Sequence, residues 1–176
     1  NFTCGVAFNP ANSADEAYCW GRNDRGNLGD GGTSPSTLPV LVAAAAIGPV
    51  TDWRTVQAGG GHACGLTFAG KLYCWGSDDD GQLGSGGLGE VHVPRQVTNP
   101  TGVTFWDEVA VGNSHSCART GGDLYCWGYG SYGKLGDNST TSRSVPTRVA
   151  DPAGGAVAWD MVAVGENHTC AVASTG

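Results

Sequence analysis

In the stretch from Trp53 to Gly60 (WRTVQAGG), large apolar and polar residues alternate as they do along a half-buried β-strand. HACGLT from His62 and KLYCWG from Lys71 read as the next two strands, and PRQV from Pro94 as a fourth. The pattern then returns. Trp53, Trp106 and Trp159 open W-x-x-V segments (WRTV, WDEV, WDMV) spaced 53 residues apart. Cys64, Cys117 and Cys170 keep the same spacing, each two positions after a histidine, His62, His115 or His168. CWG recurs at Cys19, Cys74 and Cys126, followed by GNLG, GQLG and GKLG and then by PVLV, PRQV and PTRV. A fixed period marks a repeat architecture, and four short strands per unit favour a propeller blade over a solenoid coil. The predicted fold is all-β: a β-propeller segment of four-stranded antiparallel blades within one domain, 1–176. Its repeat units are approximately 4–63, 64–116 and 117–169, with a partial unit at 170–176.

Turn residues set the hairpin registers. Cys117 and Cys126 are symmetric about Gly121 and Gly122, a pair suited to a two-residue turn with positive φ. Cys64 and Cys74 are symmetric about Ala69, leaving a three-residue loop from Phe68 to Gly70 with glycine at the left-handed position. Each turn makes its cysteines direct cross-strand neighbours, about 4.5 Å apart at Cα, where a disulfide can form. Cys4 and Cys19 pair in the same way across a longer tip, Asn9 to Asp15 (NPANSAD), read as an inserted run of turn-forming residues. Three disulfides are therefore expected, Cys4 with Cys19, Cys64 with Cys74 and Cys117 with Cys126. Cys170 is left as an unpaired thiol whose partner, by the repeat, would lie about nine residues further on. No C-x-x-C occurs, and hairpin geometry accounts for the cysteine spacing, so no metal site is expected.

Together, HACGLTFAGKLYCWGSDDDGQLG and the VPRQV and WDEVAVG that follow resemble the RCC1 repeat family. The resemblance covers the whole chain, as three complete repeats and part of a fourth. It implies a β-propeller, usually a seven-bladed ring, with about one four-stranded blade per repeat. Cysteines at these hairpin positions are similar to those of disulfide-bearing members in secreted bacterial proteins and plant receptor ectodomains. An extracellular or cell-surface location follows from that likeness. Three blades and a remainder cannot close a ring, because propellers need about four to eight. The remaining blades are expected from the rest of a longer gene product or from a neighbouring copy. The start at Asn1 without an initiator Met fits a processed or excised product.

Composition narrows the function classes. Thirty glycines with six tryptophans suit short strands and tight turns rather than helices. Only 14 % of residues are charged and the formal net charge is −7, so no broad basic surface exists to neutralise phosphates and no nucleic-acid partner is expected. The longest apolar run, Val40 to Ile47, is far shorter than the roughly 20 residues of a membrane span, so no membrane insertion is expected. GSGGLG from Gly84 and GYGSYG from Gly128 match the dinucleotide pattern literally, but neither lies between a strand and a helix. His62, His115 and His168, one per unit, read as structural residues bonding to a neighbouring blade's backbone, and His92 as a solvated loop histidine. No nucleophile, base and acid constellation stands outside the repeat, so no enzyme activity, catalytic residue or cofactor is expected.

What remains is surface. Asp78, Asp79 and Asp80 give the second loop an acidic character suited to a basic partner, while Tyr129 and Tyr132 give the third an aromatic one. Sequons at Asn1, Asn138 and Asn167 are candidate N-glycan sites, Asn138 being the most open and Asn167 sheltered beside a strand. The expected function is a secreted or cell-surface non-catalytic scaffold whose loops bind a protein partner not named by the sequence. The alternative is a structural subunit of an extracellular filament or surface layer. The family's namesake activity, nucleotide exchange on a small GTPase, is disfavoured because disulfides are rare in the cytosol and nucleus.

Overall fold

The computed structural model describes residues 1–43 and 52–174. The second half of the apolar run and the last two residues of the partial unit lie outside them. The first sheet holds β1 (Phe2–Asn9), β2 (Ala14–Gly21) and β3 (Ser36–Leu41). The second holds β4 (Trp53–Ala58), β5 (His62–Thr67), β6 (Leu72–Gly76) and β7 (Val91–Gln96). The third holds β8 (Glu108–Val111), β9 (His115–Thr120), β10 (Asp123–Gly128) and β11 (Arg143–Arg148), and the fourth β12 (Ala158–Val164) and β13 (Thr169–Ser174). Every sheet is an antiparallel meander in chain order, and together they form a segment of a β-propeller. A repeat has no privileged starting point: the units begun at each H-x-C cysteine divide β5, β9 and β13, whereas the second, third and fourth sheets begin at the W-x-x-V strands.

The hairpins follow their turn residues. Thr120 pairs with Asp123 around Gly121 (φ 55°) and Gly122 (φ 93°). In the second sheet the Thr67 amide donates to Lys71 O at 3.0 Å across a loop of Phe68, Ala69 and Gly70, with Gly70 at φ 73°. The first hairpin is tighter than its sequence suggests. Asn9 pairs with Ala14 and Phe8 with Asp15, so the tip is only Pro10 to Ser13. The residues read as a loose insertion instead lengthen both strands, tied by Asn9 and Asn12 amides that donate to Glu16. All three cysteine pairs lie in direct register with Cα atoms 4.1 Å apart and are joined by disulfides, while Cys170 is free and exposed.

The glycine of each CWG has a specific task. Gly21, Gly76 and Gly128 sit at φ 109°, 103° and 100°, and the pairing to the outer strand slips a register at each one. A Cβ on Gly76 would stand 2.6 Å from Gly61 O, so only glycine bends the strand there.

The apolar cores lie between blades rather than within them. One cluster joins Ala17, Cys19 and Leu28 of the first blade to Trp53, Ala63 and Trp75 of the second. Another joins Leu66, Leu72 and Leu83 to Trp106, Val109 and Trp127, and a third joins Leu124 and Leu135 to Val162. Within each central blade two tryptophans meet edge to face or tilted, Trp53 with Trp75 at 5.9 Å and Trp106 with Trp127 at 6.2 Å between centroids. Trp53 also lies over Gly65, where a Cβ would come 2.4 Å from its ring.

Two outcomes test this packing. Gly65→Ala is expected to cost about 1–3 kcal/mol through overpacking, measured by urea denaturation. Non-reducing peptide mapping is expected to recover the three hairpin pairs, and the Cys64→Ser, Cys74→Ser double variant to lose about 3 kcal/mol through the freed loop of the unfolded chain.

Candidate interaction face

Two sets of loops meet at one end of the blades. Short inner turns join β4 to β5, β8 to β9 and β12 to β13, and long loops join each CWG strand to its outer strand, at 22–35, 77–90 and 129–142. Beneath them runs a chain of polar links between blades. His62 Nε2 lies 2.8 Å from Ser116 Oγ of the next blade, and that hydroxyl donates to Gln82 O at 3.0 Å. The same carbonyl accepts the Trp127 indole N–H at 2.9 Å. With its proton committed to Gln82, Ser116 accepts from His62 Nε2–H, which leaves Nδ1 as the bare nitrogen, buried without a partner. His115 repeats the link, 3.0 Å from Thr169 Oγ1, which donates to Lys134 O at 2.8 Å. The histidines thus do not bond to the neighbouring backbone directly, as their sequence pattern suggested. They hold a hydroxyl, and that hydroxyl reaches back to the histidine's own blade. In the first pair of blades Ala63 occupies the hydroxyl position; the Trp75 N–H to Asn27 O bond, 3.0 Å, is kept, and the Asn27 side-chain amide donates to Gly61 O at 2.7 Å. His168, third of the series, is exposed.

Burial strips the hydration of His62 and, with His115 nearby, pushes its pKa down to about 3. His115 falls to about 4 through burial and the neighbouring Lys134 and His168. Both rings are therefore neutral structural donors at physiological pH rather than acid–base groups.

The acidic run proves to be three residues with three fates. Asp78 is buried, and its Oδ1 accepts the Leu83 amide at 2.9 Å, capping the turn of GQLG. Asp79 is exposed but paired with Arg25 of the first loop at 3.2 Å, and Asp80 is half-buried. Arg25 also binds Glu90 at 2.7 Å, so one guanidinium shared between two carboxylates offsets part of the acidic surface expected of this loop. Asp78 stands where Asn23 stands in the first blade. Asn23 caps Leu28 in the same way, at 2.9 Å, and its Nδ2 donates to Asp30 Oδ1, Gly32 O and Ser34 O. The carboxylate offers no such donor: Asp78 Oδ2 is buried and unpartnered, and burial pushes the acid up to about 6.

His92 is a strand residue of β7, not a loop residue, with its ring against Gly26 and 3.5 Å from Glu90. Tyr129 is half-buried under the Lys134 ammonium, 4.8 Å from the ring centroid, whereas Tyr132, held at φ 65°, is 85 % exposed. Leu88 of the second long loop is also exposed. Asn138 is exposed in a left-handed turn, Asn1 is exposed, and Asn167 is exposed rather than sheltered, its Oδ1 accepting from Lys134 Nζ at 2.9 Å.

The RCC1 repeat model, "Regulator of chromosome condensation (RCC1) repeat", matches residues 15–66, 69–119 and 121–172. The chain belongs to the RCC1 repeat family. It is 36 % identical over 177 residues to the ultraviolet-B receptor UVR8 of Arabidopsis thaliana, covering 99 % of this chain and 39 % of that protein. Among solved structures, human WBSCR16 matches with a TM-score of 0.79 at 26 % identity, over 98 % of this chain and 42 % of that one. Prp20p of Saccharomyces cerevisiae shares the fold, with a TM-score of 0.79 at 23 % identity over 97 % and 41 % of the two chains. This RCC1 chain therefore spans about two-fifths of the length of these relatives.

One surface escaped the reading of the sequence. At the opposite end of the blades Phe8, Phe68 and Phe105 are exposed at 62 %, 63 % and 46 %. They are joined through the Asp15 to Asp52 bridge, the Phe68 amide bond to Asp52 O, and Phe105 against Gly70. Phenylalanine just before or within a hairpin turn was the available signal for two of them.

Asp78→Asn restores the missing donor and removes a buried charge. Because the folded-state acid titrates above its ordinary 3.8, at about 6, the ionised form opposes folding above pH 6. The variant should gain about 1–2 kcal/mol at pH 7.5, and the gain should shrink as pH falls towards 3.8. The histidines act in the opposite sense. Unfolded imidazole takes a proton near 6.5 that the folded rings refuse, so their contribution to stability is lost as pH falls from 6.5 towards about 4. Urea titrations of His62→Gln and His115→Gln should show a flatter pH dependence across that window.

Proposed function

We propose that this chain is a non-catalytic protein-interaction scaffold that works in an oxidising, extracytoplasmic compartment and binds its partner through the long-loop face. The observation that carries the reading is Tyr132, 85 % exposed on a loop whose base is fastened by the Lys134 contacts with Tyr129 and Asn167. A rigid ring segment displaying an aromatic side chain that the fold does not use is suited to recognition, since aromatic anchors dominate interface energies. Relatives fit a binding role: the structure of Prp20p was reported with its binding properties to Gsp1p and histones. The oxidising compartment rests on the cysteine pattern of the sequence. Recognition is aromatic and apolar, through Tyr132 and Leu88, rather than acidic, because Asp78 is buried and Asp79 is paired. N-glycan at the exposed Asn138 belongs to the same reading for a eukaryotic host.

The test is cross-linked capture of a partner from extracytoplasmic extract of the native host, followed by titration with purified components. Tyr132→Ala should weaken binding about tenfold or more while leaving the melting temperature unchanged. Equal affinity of the variant, or retention of binding by the unfolded reduced chain, would overturn the reading.

A further inference from the structure

The second long loop follows the plan of the first, with one exchange at its centre. Leu28 and Leu83 each give their amide to a capping side chain, Asn23 Oδ1 or Asp78 Oδ1, at 2.9 Å in both blades. Gly29 and Gly84 share φ 67°, and the Gly31 and Gly86 amides each donate to the outer strand of the next blade, at 2.9 Å to His92 O and Ser144 O. Gly87 stands over Ser85 as Gly32 stands over Asp30: a Cβ on each glycine would lie 3.9 Å from Ser85 Oγ and 3.5 Å from Asp30 Oδ1. The second blade has all four of its strands and packs against a blade on either side, so its loop is a complete one.

Within that shared frame the capping residues differ in chemistry. Asn23 Nδ2 fills the centre of the first loop and donates to Asp30 Oδ1 at 3.1 Å, Gly32 O at 3.3 Å and Ser34 O at 3.0 Å. In the second loop the matching atom is Asp78 Oδ2, an acceptor, and Ser85 replaces Asp30. Asp78 is fully buried, and its Oδ2 and Ser85 Oγ are both buried without a hydrogen-bond partner, including each other. A carboxylate oxygen, a hydroxyl oxygen and the Gly87 carbonyl therefore converge where the first loop sets a donor among acceptors. Buried oxygens of this kind are satisfied by a positive charge between them. The spacing suits one cation in particular. Oxygens that share a calcium ion at about 2.3–2.6 Å stand about 2.7–3.7 Å apart in its pentagonal and right-angled positions, and the contacts of Asn23 fall inside that range.

We propose that the second long loop binds a calcium ion between Asp78 Oδ2, Ser85 Oγ and the Gly87 carbonyl, with water completing the shell through the half-exposed Gly87. Among the described residues no three His, Cys, Asp or Glu side chains gather to hold a metal, so neutral oxygens supply most of the coordination. A single carboxylate, and the Arg95 guanidinium beside Gly87, keep the affinity in the range of extracellular calcium modules, about 10⁻⁴–10⁻³ M. Asp79 faces outward to Arg25 and takes no part. The ion fastens residue 78 to residues 85–87, next to the exposed Leu88, so it orders one side of the interaction face. Its binding needs no partner protein and is measured without one.

The probe is calcium chloride added to the folded 176-residue chain in chelator-treated choline chloride buffer at neutral pH, read by calorimetry and by urea denaturation. One ion should bind per chain, and about 10 mM calcium should raise the folded-to-unfolded ratio about tenfold or more. Asp78→Asn should abolish both readouts, yet in chelator it should unfold at no lower urea than the unaltered chain, because its amide supplies the donor that Asn23 has. Loss of the response is then separate from loss of the fold. Ser85→Ala should weaken binding several-fold, and Asp79→Asn should leave it unchanged. A calcium response that survives in Asp78→Asn would assign the ion to adventitious surface carboxylates and overturn the proposal. Absence of any response in the unaltered chain at about 10 mM calcium would do so too, leaving the centre of the loop to water or a proton.

Discussion

Everything in this molecule depends on burying sheets against one another. A four-stranded antiparallel sheet standing alone wets at least one face, but a blade here loses both, because each apolar cluster is assembled from two successive blades. The indole of the CWG in each central blade, Trp75 or Trp127, makes that arrangement specific. It reaches across to the preceding blade, presses on a glycine whose lack of a side chain makes the room, and closes on a backbone carbonyl. The histidine and hydroxyl links run parallel to it. Desolvating a neutral imidazole, a hydroxyl and a carbonyl is affordable only because each finds a partner, and the bare Nδ1 of both rings marks where that satisfaction stops.

Most of the fold was legible because it is local. Gly121 with Gly122, and Gly70 after Ala69, state their turns outright, and the turns state the cysteine registers. The period of Trp, His-x-Cys and CWG gives the blades and their order. The tip of the first hairpin is shorter than NPANSAD, rich in turn formers, suggests, because Glu16 organises Asn9 and Asn12 while Asn9, Ala14 and Asp15 stay in the ladder. Propensity gave way there to a side-chain network the pattern does not announce.

The surface was less legible, for a different reason. Whether Asp78, Asp79 and Asp80 form one acidic patch depends on where three adjacent side chains point, and a tight turn sends them to a buried cap, an ion pair with another blade and the half-buried surface. Comparison with Asn23 would have hinted at it, since an amide and a carboxylate at the same repeat position suggest a shared inward task. The hydroxyl beneath His62 was similarly veiled: Ser116 and Thr169 recur, but Ala63 breaks the column, and only packing shows that the partner sits in the following blade. The phenylalanine row on the far end draws its members from a strand end, a hairpin turn and a connection, so no single window of sequence contains it.

The inter-blade links have a sense of direction. In the histidine–hydroxyl and indole–carbonyl links, each histidine and each turn carbonyl belongs to the earlier blade, and each hydroxyl and indole to the later one. The stack is therefore polar, like a screw thread: one end displays sockets and the other displays plugs. Growth by gene duplication can add a unit at either end only in the same orientation. Two such ends meet productively only by closing head to tail, which makes a ring the natural terminus of the series and leaves a face-to-face pairing of like ends without complementary chemistry.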